Sequence, residues 1–170
     1  MMCDIKLKVW CRLLRIVVLS DSHGAAKMLD DIIAFEKPDC FIFCGDGIGD
    51  VLKICDKYPY LYCHIVSGNC DRTDNFPLFK EFELCGKNFY ITHGHHEFVK
   101  SGYMNLASRA LNYETDIALY GHTHIQACDK FGDLILLNPG SAYEGNYAVV
   151  DISEDSGNVK YDLKNIKGYK

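Results

Sequence analysis

Five short apolar runs in this chain each end in residues that can bind a metal ion. The runs are Ile16–Leu19, Phe41–Cys44, Leu61–Val66, Phe89–Thr92 and Ile117–Tyr120. Short runs rich in β-branched and aromatic residues are typical of strands that are buried on both faces. In α/β sheets, ligands bind beyond the carboxyl ends of the strands, which is where the residues after these runs would lie. The pattern therefore predicts an α/β fold with a convergent metal site, as in a metalloenzyme.

The residues after the runs supply carboxylate, imidazole and amide groups. They are Asp21, His23, Asp46, Asn69, His93, His122 and His124. Carboxylates combined with imidazoles suit Zn, Mn, Fe or Ni, whereas a set of oxygen ligands alone would suit Mg or Ca. If the backbone stays extended, the side chains of Asp21 and His23 point the same way, as do those of His122 and His124. Each motif alone is typical of an ordinary loop, but five at strand ends predict one site.

Length and composition predict one globular domain. The chain has 170 residues, of which 48% are hydrophobic and 24% charged, enough to bury a core. We expect a single domain over residues 15–170, with residues 1–14 as an N-terminal extension that is loosely ordered or a misassigned start. No segment approaches the roughly 18 uninterrupted apolar residues of a membrane span, so we expect no membrane association.

The net charge and the cysteines bear on the binding partners and the cellular location of the protein. The net charge of −5 gives no electrostatic reason for general affinity to nucleic acid. There are nine cysteines, an odd number, without a C-x-x-C pair, which predicts reduced thiols and a cytoplasmic location.

The order of the elements predicts two sheets. The first half alternates strand, helix, strand, helix, strand, with helices over Ala25–Glu36 and Asp50–Tyr58, the second one capped by Asp50. A hairpin is expected around Cys85-Gly86, a helix over Ser101–Asn112, and short antiparallel strands from Ile125 onward. The sum is an α/β protein with two mixed sheets packed face to face and helices outside.

Six motifs then occur in order along the chain: Ser20-Asp21-Ser22-His23-Gly24, Gly45-Asp46, Gly68-Asn69-Cys70-Asp71, His93-Gly94-His95, Gly121-His122-Thr123-His124 and Asn138-Pro139-Gly140-Ser141. In this combination they resemble the calcineurin-like metallophosphoesterases, and within these the small YfcE-like phosphodiesterases. The resemblance spans roughly Arg15 to the C-terminus. It implies a four-layer αββα sandwich of two mixed β-sheets flanked by helices, with a dinuclear metal centre. The last motif is expected to be a supporting turn beside the metals.

The resemblance also implies which residues bind two divalent metal ions. One ion would take Asp21, His23, Asp46 and His124, and the other Asp46, Asn69, His93 and His122. Asp46 would bridge the two ions together with a hydroxide, and that hydroxide would attack phosphorus in line with the departing alkoxide. Manganese is the first expectation, with nickel, iron or zinc as alternatives.

The residue after the metal-binding asparagine departs from a common family pattern. Many members carry there a histidine that protonates the leaving group, whereas this chain has Cys70, as in the YfcE-like branch. Free cysteines are more often structural than reactive, so Cys70 is either a donor or a packing residue. His95, Asp71 and Arg72 are the other candidates for proton donation or phosphate contact. Without a good general acid, esters with an easily departing group, such as aryl diesters, should be favoured.

The leading functional prediction is therefore a phosphodiesterase in which Asp46, Asn69 and His95 are catalytic. A phosphomonoesterase with the same site is the alternative within that chemistry. A non-catalytic interaction scaffold of the same fold, as in the retromer complex, is the rival from another class, although the seven donors are all retained here. A structural zinc protein is less favoured because such sites prefer closed, cysteine-rich sets. The expected partner is a phosphate-ester substrate, without sequence-specific nucleic acid, and a homo-oligomer remains open.

Overall fold

The computed structural model describes residues 13–73, 75–153 and 156–169 of the chain. The extension predicted over residues 1–14 lies outside these residues, except for Leu13 and Leu14. Leu14 is already the first residue of a strand.

The first sheet has five strands in the order β10-β9-β1-β2-β3. They are β1 (Leu14–Leu19), β2 (Cys40–Phe43), β3 (Tyr62–Ile65), β9 (Asn146–Ile152) and β10 (Val159–Asn165). The first three are parallel, as the alternation of strands and helices predicted. Strand β9 is antiparallel to both β1 and β10, so the sheet is mixed.

The second sheet also has five strands, in the order β4-β5-β6-β8-β7. They are β4 (Phe79–Leu84), β5 (Lys87–Thr92), β6 (Ile117–Leu119), β7 (Gln126–Phe131) and β8 (Leu134–Pro139). The hairpin of β4 and β5 turns at Cys85-Gly86, as predicted. Strand β8 is antiparallel to β7, as predicted, but parallel to β6, whereas only antiparallel strands were expected in this part of the chain.

In the described part of the chain, three α-helices cover the outer faces of the sheets: α1 (Ala26–Glu36), α2 (Ile48–Lys57) and α3 (Met104–Leu111). The remaining helical turns are short 3₁₀ segments at Val99–Ser101, Ala142–Glu144 and Ile166–Tyr169. Among the described residues, no helix combines the length and apolar character needed to cross a bilayer.

The predicted cap of α2 is wrong. The helix begins at Ile48 after Gly47, and Asp50 lies inside its first turn. The Asp50 carboxylate instead accepts hydrogen bonds from the Ser22 hydroxyl and the Gly24 backbone N–H, each at 2.7 Å. A tertiary contact thus replaces the local capping bond that the sequence suggested.

Three clusters of buried hydrophobic residues hold the helices and sheets together in the layer order αββα. Residues of both sheets, such as Val18, Ile42, Ile91 and Leu119, pack between the sheets. A second cluster joins α1 and α2 to the first sheet, and a third joins α3 to the second sheet. The predicted sandwich of two mixed sheets flanked by helices is confirmed.

Candidate metal centre

The loops after β1, β2, β3, β5 and β6 meet at one edge of the sandwich. Backbone hydrogen bonds tie them together: the N–H of Asp21 donates to Gly45 at 2.9 Å, and that of Gly121 donates to His93 at 3.1 Å. The second of these bonds joins the loop after β5 to the loop after β6, and these two strands are parallel neighbours in the second sheet. Donor groups from distant parts of the chain are thereby brought within reach of one another.

Among the residues that the structure describes, three overlapping groups of side chains are spaced to hold a cation. They are Asp21 with His23 and His124, Asp21 with Asp46 and His93, and His23 with Asp46 and Cys70. Within each group the ligand atoms lie within 4.8 Å of one another. Asp21, His23 and Asp46 each belong to two groups, so the groups form one continuous site.

Asp21 lies at the centre of the first group. Its side chain is fully buried, and its Oδ2 accepts the backbone N–H of His122 at 3.0 Å. Its Oδ1 accepts no hydrogen bond from any described residue, although it lies 3.1 Å from His124 Nε2 and 3.8 Å from His23 Nε2. A buried carboxylate oxygen without a donor is costly, and a metal ion bound there would satisfy it. The residues present therefore fit a metal.

Asp46 lies between the loops of the two sheets. Its Oδ2 is 3.3 Å from His93 Nε2, and its Oδ1 accepts the backbone N–H of Cys70 at 2.7 Å. Burial raises the pKa of the Asp46 carboxyl, but the hydrogen bond and charge of His93 and the N–H of Cys70 outweigh it, so the pKa lies well below its ordinary value. The group is ionised at neutral pH, as a metal ligand must be.

His93 is oriented by the backbone. Its Nδ1 lies 2.7 Å from the carbonyl oxygen of Cys44, which can only accept, so Nδ1 carries a hydrogen and donates it. Its Nε2 then faces Asp46 and, at 3.1 Å, the side-chain oxygen of Asn69. Burial lowers the pKa of His93, but the hydrogen bond to Asp46 and the charges of Asp21 and Asp46 raise it above its ordinary value. A metal at Nε2 would take over the role of this proton, with the carbonyl keeping the ring in place.

His122 and His95 lie beside His93. The ring centroid of His93 is 4.9 Å from that of His122 and 5.4 Å from that of His95. Burial and the charges of His93 and Lys100 lower the pKa of His122 to about 4, and burial with His93 and His96 lowers that of His95. Neutral rings keep a lone pair for a metal or a proton.

The backbone at the site is not extended. Five of the predicted metal ligands have a positive φ: Asp21 (54°), His23 (44°), Asp46 (60°), His122 (67°) and His124 (62°). The extended backbone that would point the side chains of each paired motif the same way is therefore not present. Left-handed backbone costs energy at residues with a Cβ and persists where the surroundings hold it, most often at functional sites. The side chains converge through turns rather than through strand alternation.

Two glycines allow the loops to approach each other. A Cβ on Gly68 would collide with the Asp46 carboxylate. A Cβ on Gly45, where φ is +93°, would lie 2.7 Å from the backbone nitrogen of Gly68 and 2.9 Å from His93 Nδ1. Only glycine fits this close contact of backbones.

Asp71 is a predicted candidate for proton donation or phosphate contact, but in the structure its carboxylate binds backbone N–H groups. Its Oδ2 accepts the backbone N–H groups of Asp46 and Gly68, both at 2.8 Å. Its Oδ1 accepts those of Gly47 and Ile48, both at 2.9 Å. Both oxygens therefore serve to hold the loop after β2 against the loop after β3, rather than being directed at a phosphate.

Cys70 and Arg72 are exposed beside the site. The Cys70 Sγ accepts a hydrogen bond from Asn69 Nδ2 at 3.3 Å. Its hydrogen bond to Asp46, burial, and the nearby carboxylates raise the pKa of the Cys70 thiol, which stays protonated at neutral pH. Arg72 forms no ion pair with any residue in the described part of the chain.

Two buried carboxylates, Asp50 and Glu97, support the site in a way that the sequence did not indicate. Asp50 holds the loop of Asp21 and His23, as described above. Glu97 accepts hydrogen bonds from Arg109 at 2.6 Å, Thr92 at 3.1 Å and Tyr90 at 3.2 Å, beside the loop of His93 and His95. The only signal was an acidic residue close to a motif, which by itself is typical of solvent exposure.

The turn at Asn138–Ser141 also supports the site. Asn138 Nδ2 donates to the carbonyl oxygen of Gly121 at 2.8 Å, and the Ser141 hydroxyl donates to that of Asp21 at 2.9 Å. Both bonds fix the backbone from which predicted ligands project.

The chain is similar to curated metallophosphoesterases and phosphodiesterases, among them one from Bacillus subtilis and one from Escherichia coli. The probable metallophosphoesterase YsnB of Bacillus subtilis is 26% identical over 157 residues, which cover 87% of this chain and 90% of the relative. The phosphodiesterase YfcE of Escherichia coli is 34% identical over 84 residues, or 45% of this chain and 42% of the relative. These matches confirm the resemblance to the YfcE-like phosphodiesterases.

Solved structures share the fold. A predicted phosphoesterase from Streptococcus pneumoniae superposes with a TM-score of 0.71 at 25% identity, covering 91% of this chain and 99% of that one. Vacuolar protein sorting 29 of Cryptosporidium parvum gives a TM-score of 0.72 at 15% identity, covering 92% and 99%, which shows a common fold alone.

A family model links the motifs along the chain. The model of the calcineurin-like phosphoesterase superfamily domain matches residues 14–155, which include all seven predicted metal ligands. The chain therefore belongs to the calcineurin-like phosphoesterase superfamily, and the protein is a phosphoesterase.

Proposed function

We propose that the protein hydrolyses phosphodiesters with the aid of two divalent cations. The observation that carries the proposal is the convergence of Asp21, Asp46 and His93, all buried, with their ligand atoms within 4.8 Å of one another. Two buried carboxylates this close together need positive charge between them.

The contacts support a division of the donors into two sets. Asp21, His23 and His124 surround one position, and Asn69 and His93 face another, with Asp46 between the two. We assign His122 to the second set because its ring lies beside that of His93. We propose this assignment of all seven residues as metal ligands.

When bound, the cations would polarise the phosphoryl oxygens and supply a water of lowered pKa as nucleophile. The protein would contribute orientation. The Cys44 carbonyl fixes the ring of His93, and the Cys70 backbone N–H holds the Asp46 carboxylate. Two dications carry more charge than Asp21 and Asp46 together, so the loaded site attracts an anionic ester although the whole protein is acidic.

His95 is the proposed phosphate contact; it would protonate the leaving group only in its charged form, which its lowered pKa disfavours. Its Nδ1 is buried and has no hydrogen-bond partner among the described residues. Its ring lies 6.1 Å from that of His122 by centroid, and we place it within reach of a substrate bound at the metals. Cys70, whose thiol is protonated, is the alternative donor.

A diester is favoured over a monoester because the relative YfcE is named a phosphodiesterase. A phosphomonoester remains the second substrate class for the same site. We also propose manganese as the metal and a single domain over residues 15–170. We propose the cytoplasm as the location, because the seven cysteines described in the structure are all free thiols.

The test is turnover of bis-p-nitrophenyl phosphate by the purified protein with added Mn²⁺, with and without a chelator. We expect metal-dependent release of p-nitrophenolate, and we expect the Asp46→Asn variant to lose both turnover and bound metal. Full activity of that variant, or activity that survives the chelator, would contradict the proposal.

An interaction scaffold is the second candidate, favoured by the common fold with vacuolar protein sorting 29. The retained donor set argues for catalysis instead. If the protein binds no metal and does not hydrolyse phosphodiesters or phosphomonoesters, the scaffold function is the better account.

A further inference from the structure

An open groove of about 480 Å³ lies beside Cys70, next to the candidate metal centre. Its walls come from the first turns of α2 and from the loop after β3, and include Ile48, Leu52, Arg72 and Phe76. A volume of this size is in the range of small-molecule sites.

The groove adjoins the candidate metal centre at Cys70. Cys70 belongs to its wall, and the Sγ of Cys70 lies within 4.8 Å of ligand atoms of His23 and Asp46. A phosphoester bound at the metals would therefore have one of its ester groups at the mouth of the groove.

The walls offer apolar surface and a cation. Leu52 is 46% exposed on the face of α2, Phe76 is half-buried, and Ile48 forms part of the same wall. The guanidinium of Arg72 is exposed nearby and can stack on the face of an aromatic ring. Apolar side chains beside a guanidinium match an aromatic ring better than an aliphatic alcohol.

The groove is also held in shape by hydrogen bonds. The Ser67 hydroxyl donates to the carbonyl oxygen of Phe76 at 3.2 Å, and the Ser67 N–H donates to that of Pro77 at 2.9 Å. On the opposite wall, Asp71 binds the N–H of Ile48. Preformed walls lower the entropy cost of binding a rigid ring.

We propose that this groove binds an aromatic ester group of the substrate, with Phe76 and Leu52 as residues that determine specificity. The protein would thus prefer aryl or other aromatic phosphodiesters to dialkyl ones. The inference rests on the proposed function, since the metal centre must hold the phosphoryl group.

The test compares two non-hydrolysable ligands on the manganese-loaded protein, phenylphosphonate and methylphosphonate, by calorimetry. Both present the same phosphonate to the metals, and only one carries a ring. We expect phenylphosphonate to bind more tightly, and Phe76→Ala to reduce the ratio of the two affinities about fivefold, the size of one aromatic contact. Methylphosphonate affinity should stay the same.

Phe131→Ala is the matched control, because Phe131 is a partly exposed phenylalanine at the end of β7, outside the groove. Leu52→Glu, on the exposed face of α2, is a second groove variant. It keeps the test valid if the Phe76→Ala protein does not fold. It should also reduce the ratio by placing a charge in the groove.

The outcomes separate the two proposals. A wild-type protein without preference for phenylphosphonate, or a ratio that neither groove variant changes, would overturn the groove proposal while leaving the phosphodiesterase intact. If neither phosphonate binds and bis-p-nitrophenyl phosphate is not hydrolysed, the proposed function falls and the groove proposal falls with it.

Discussion

The carboxylate of Asp71 accepts the backbone N–H of Asp46 at 2.8 Å. The same carboxylate accepts the N–H groups of Gly47, Ile48 and Gly68, so one side chain satisfies donors from two loops. Asp46 has a positive φ of 60°, a conformation that needs such support. Asp71 is thus a positioning residue for the proposed bridging ligand.

Asp71→Asn should weaken metal binding. An amide offers one acceptor oxygen and two N–H groups, so two of the four backbone donors would lose their partner and face another donor. By analogy with other residues that orient metal ligands, we expect an affinity loss of about 10- to 100-fold, measured by titration with Mn²⁺. Excess metal should restore part of kcat.

Asp31→Asn is the matched control for that experiment. Asp31 is on α1, where it pairs with Lys27 at 2.8 Å on the surface. It should leave metal affinity within about twofold, since exposed pairs contribute little. If the Asp71→Asn variant and the wild type bind Mn²⁺ with equal affinity, Asp71 does not position the metal ligands.

Cys70→Ala should separate aryl from alkyl esters. The p-nitrophenolate ion departs without protonation, so the variant should hydrolyse bis-p-nitrophenyl phosphate within about threefold of the wild-type rate. A loss of about tenfold or more on an alkyl diester alone would identify the Cys70 thiol as the proton donor. An equal loss on both esters would instead indicate that the substitution disturbs Asn69, which donates to Cys70 Sγ.

His64 should make the protein less stable in acid. Its ring is buried in β3 and stacks on Phe82 with centroids 3.4 Å apart, and neither ring nitrogen has a hydrogen-bond partner among the described residues. Burial and the charge of Lys80 lower the pKa of His64 from 6.5 to about 4. The folded state thus favours the neutral ring, so this contribution to stability is complete above pH 6.5 and is lost as the pH falls toward 4.

His64→Phe keeps the stacking and removes the titration. Compared with wild type, the variant should lose less stability between pH 7 and pH 4.5, by on the order of 2 kcal/mol in urea unfolding. Parallel stability profiles of the two proteins would show that His64 does not titrate in this range. The comparison cancels the carboxylates, which both proteins share.

Arg109→Met should destabilise the loop of His93 and His95. The Glu97 carboxylate is only 2% exposed and would lose its charged partner. We expect a loss of about 2 kcal/mol, or about 5 °C in Tm. The double variant Arg109→Met/Glu97→Gln should be less unstable than Arg109→Met alone; if it is more unstable, the buried charge is not the cause.

Much of the fold was predictable because its signals are local. The β4–β5 hairpin needs only two β-rich runs around Cys85-Gly86, and the parallel strands β1, β2 and β3 follow from their alternation with helices. The parallel pairing of β6 with β8 was not predictable, because no residue between them encodes which strand β8 will adjoin.

The donor set followed from the sequence by itself, since short apolar runs specify strands and the residues after them carry the ligand atoms. Only the tertiary structure decided how those atoms meet: through left-handed turns at Asp21 and His122, and through a carboxylate at position 71 whose oxygens are both engaged by backbone. The physical reason is that strand periodicity is written in neighbouring residues, whereas each hydrogen-bond partner and each groove wall comes from a different loop. Such contacts exist only once the sheets have packed together.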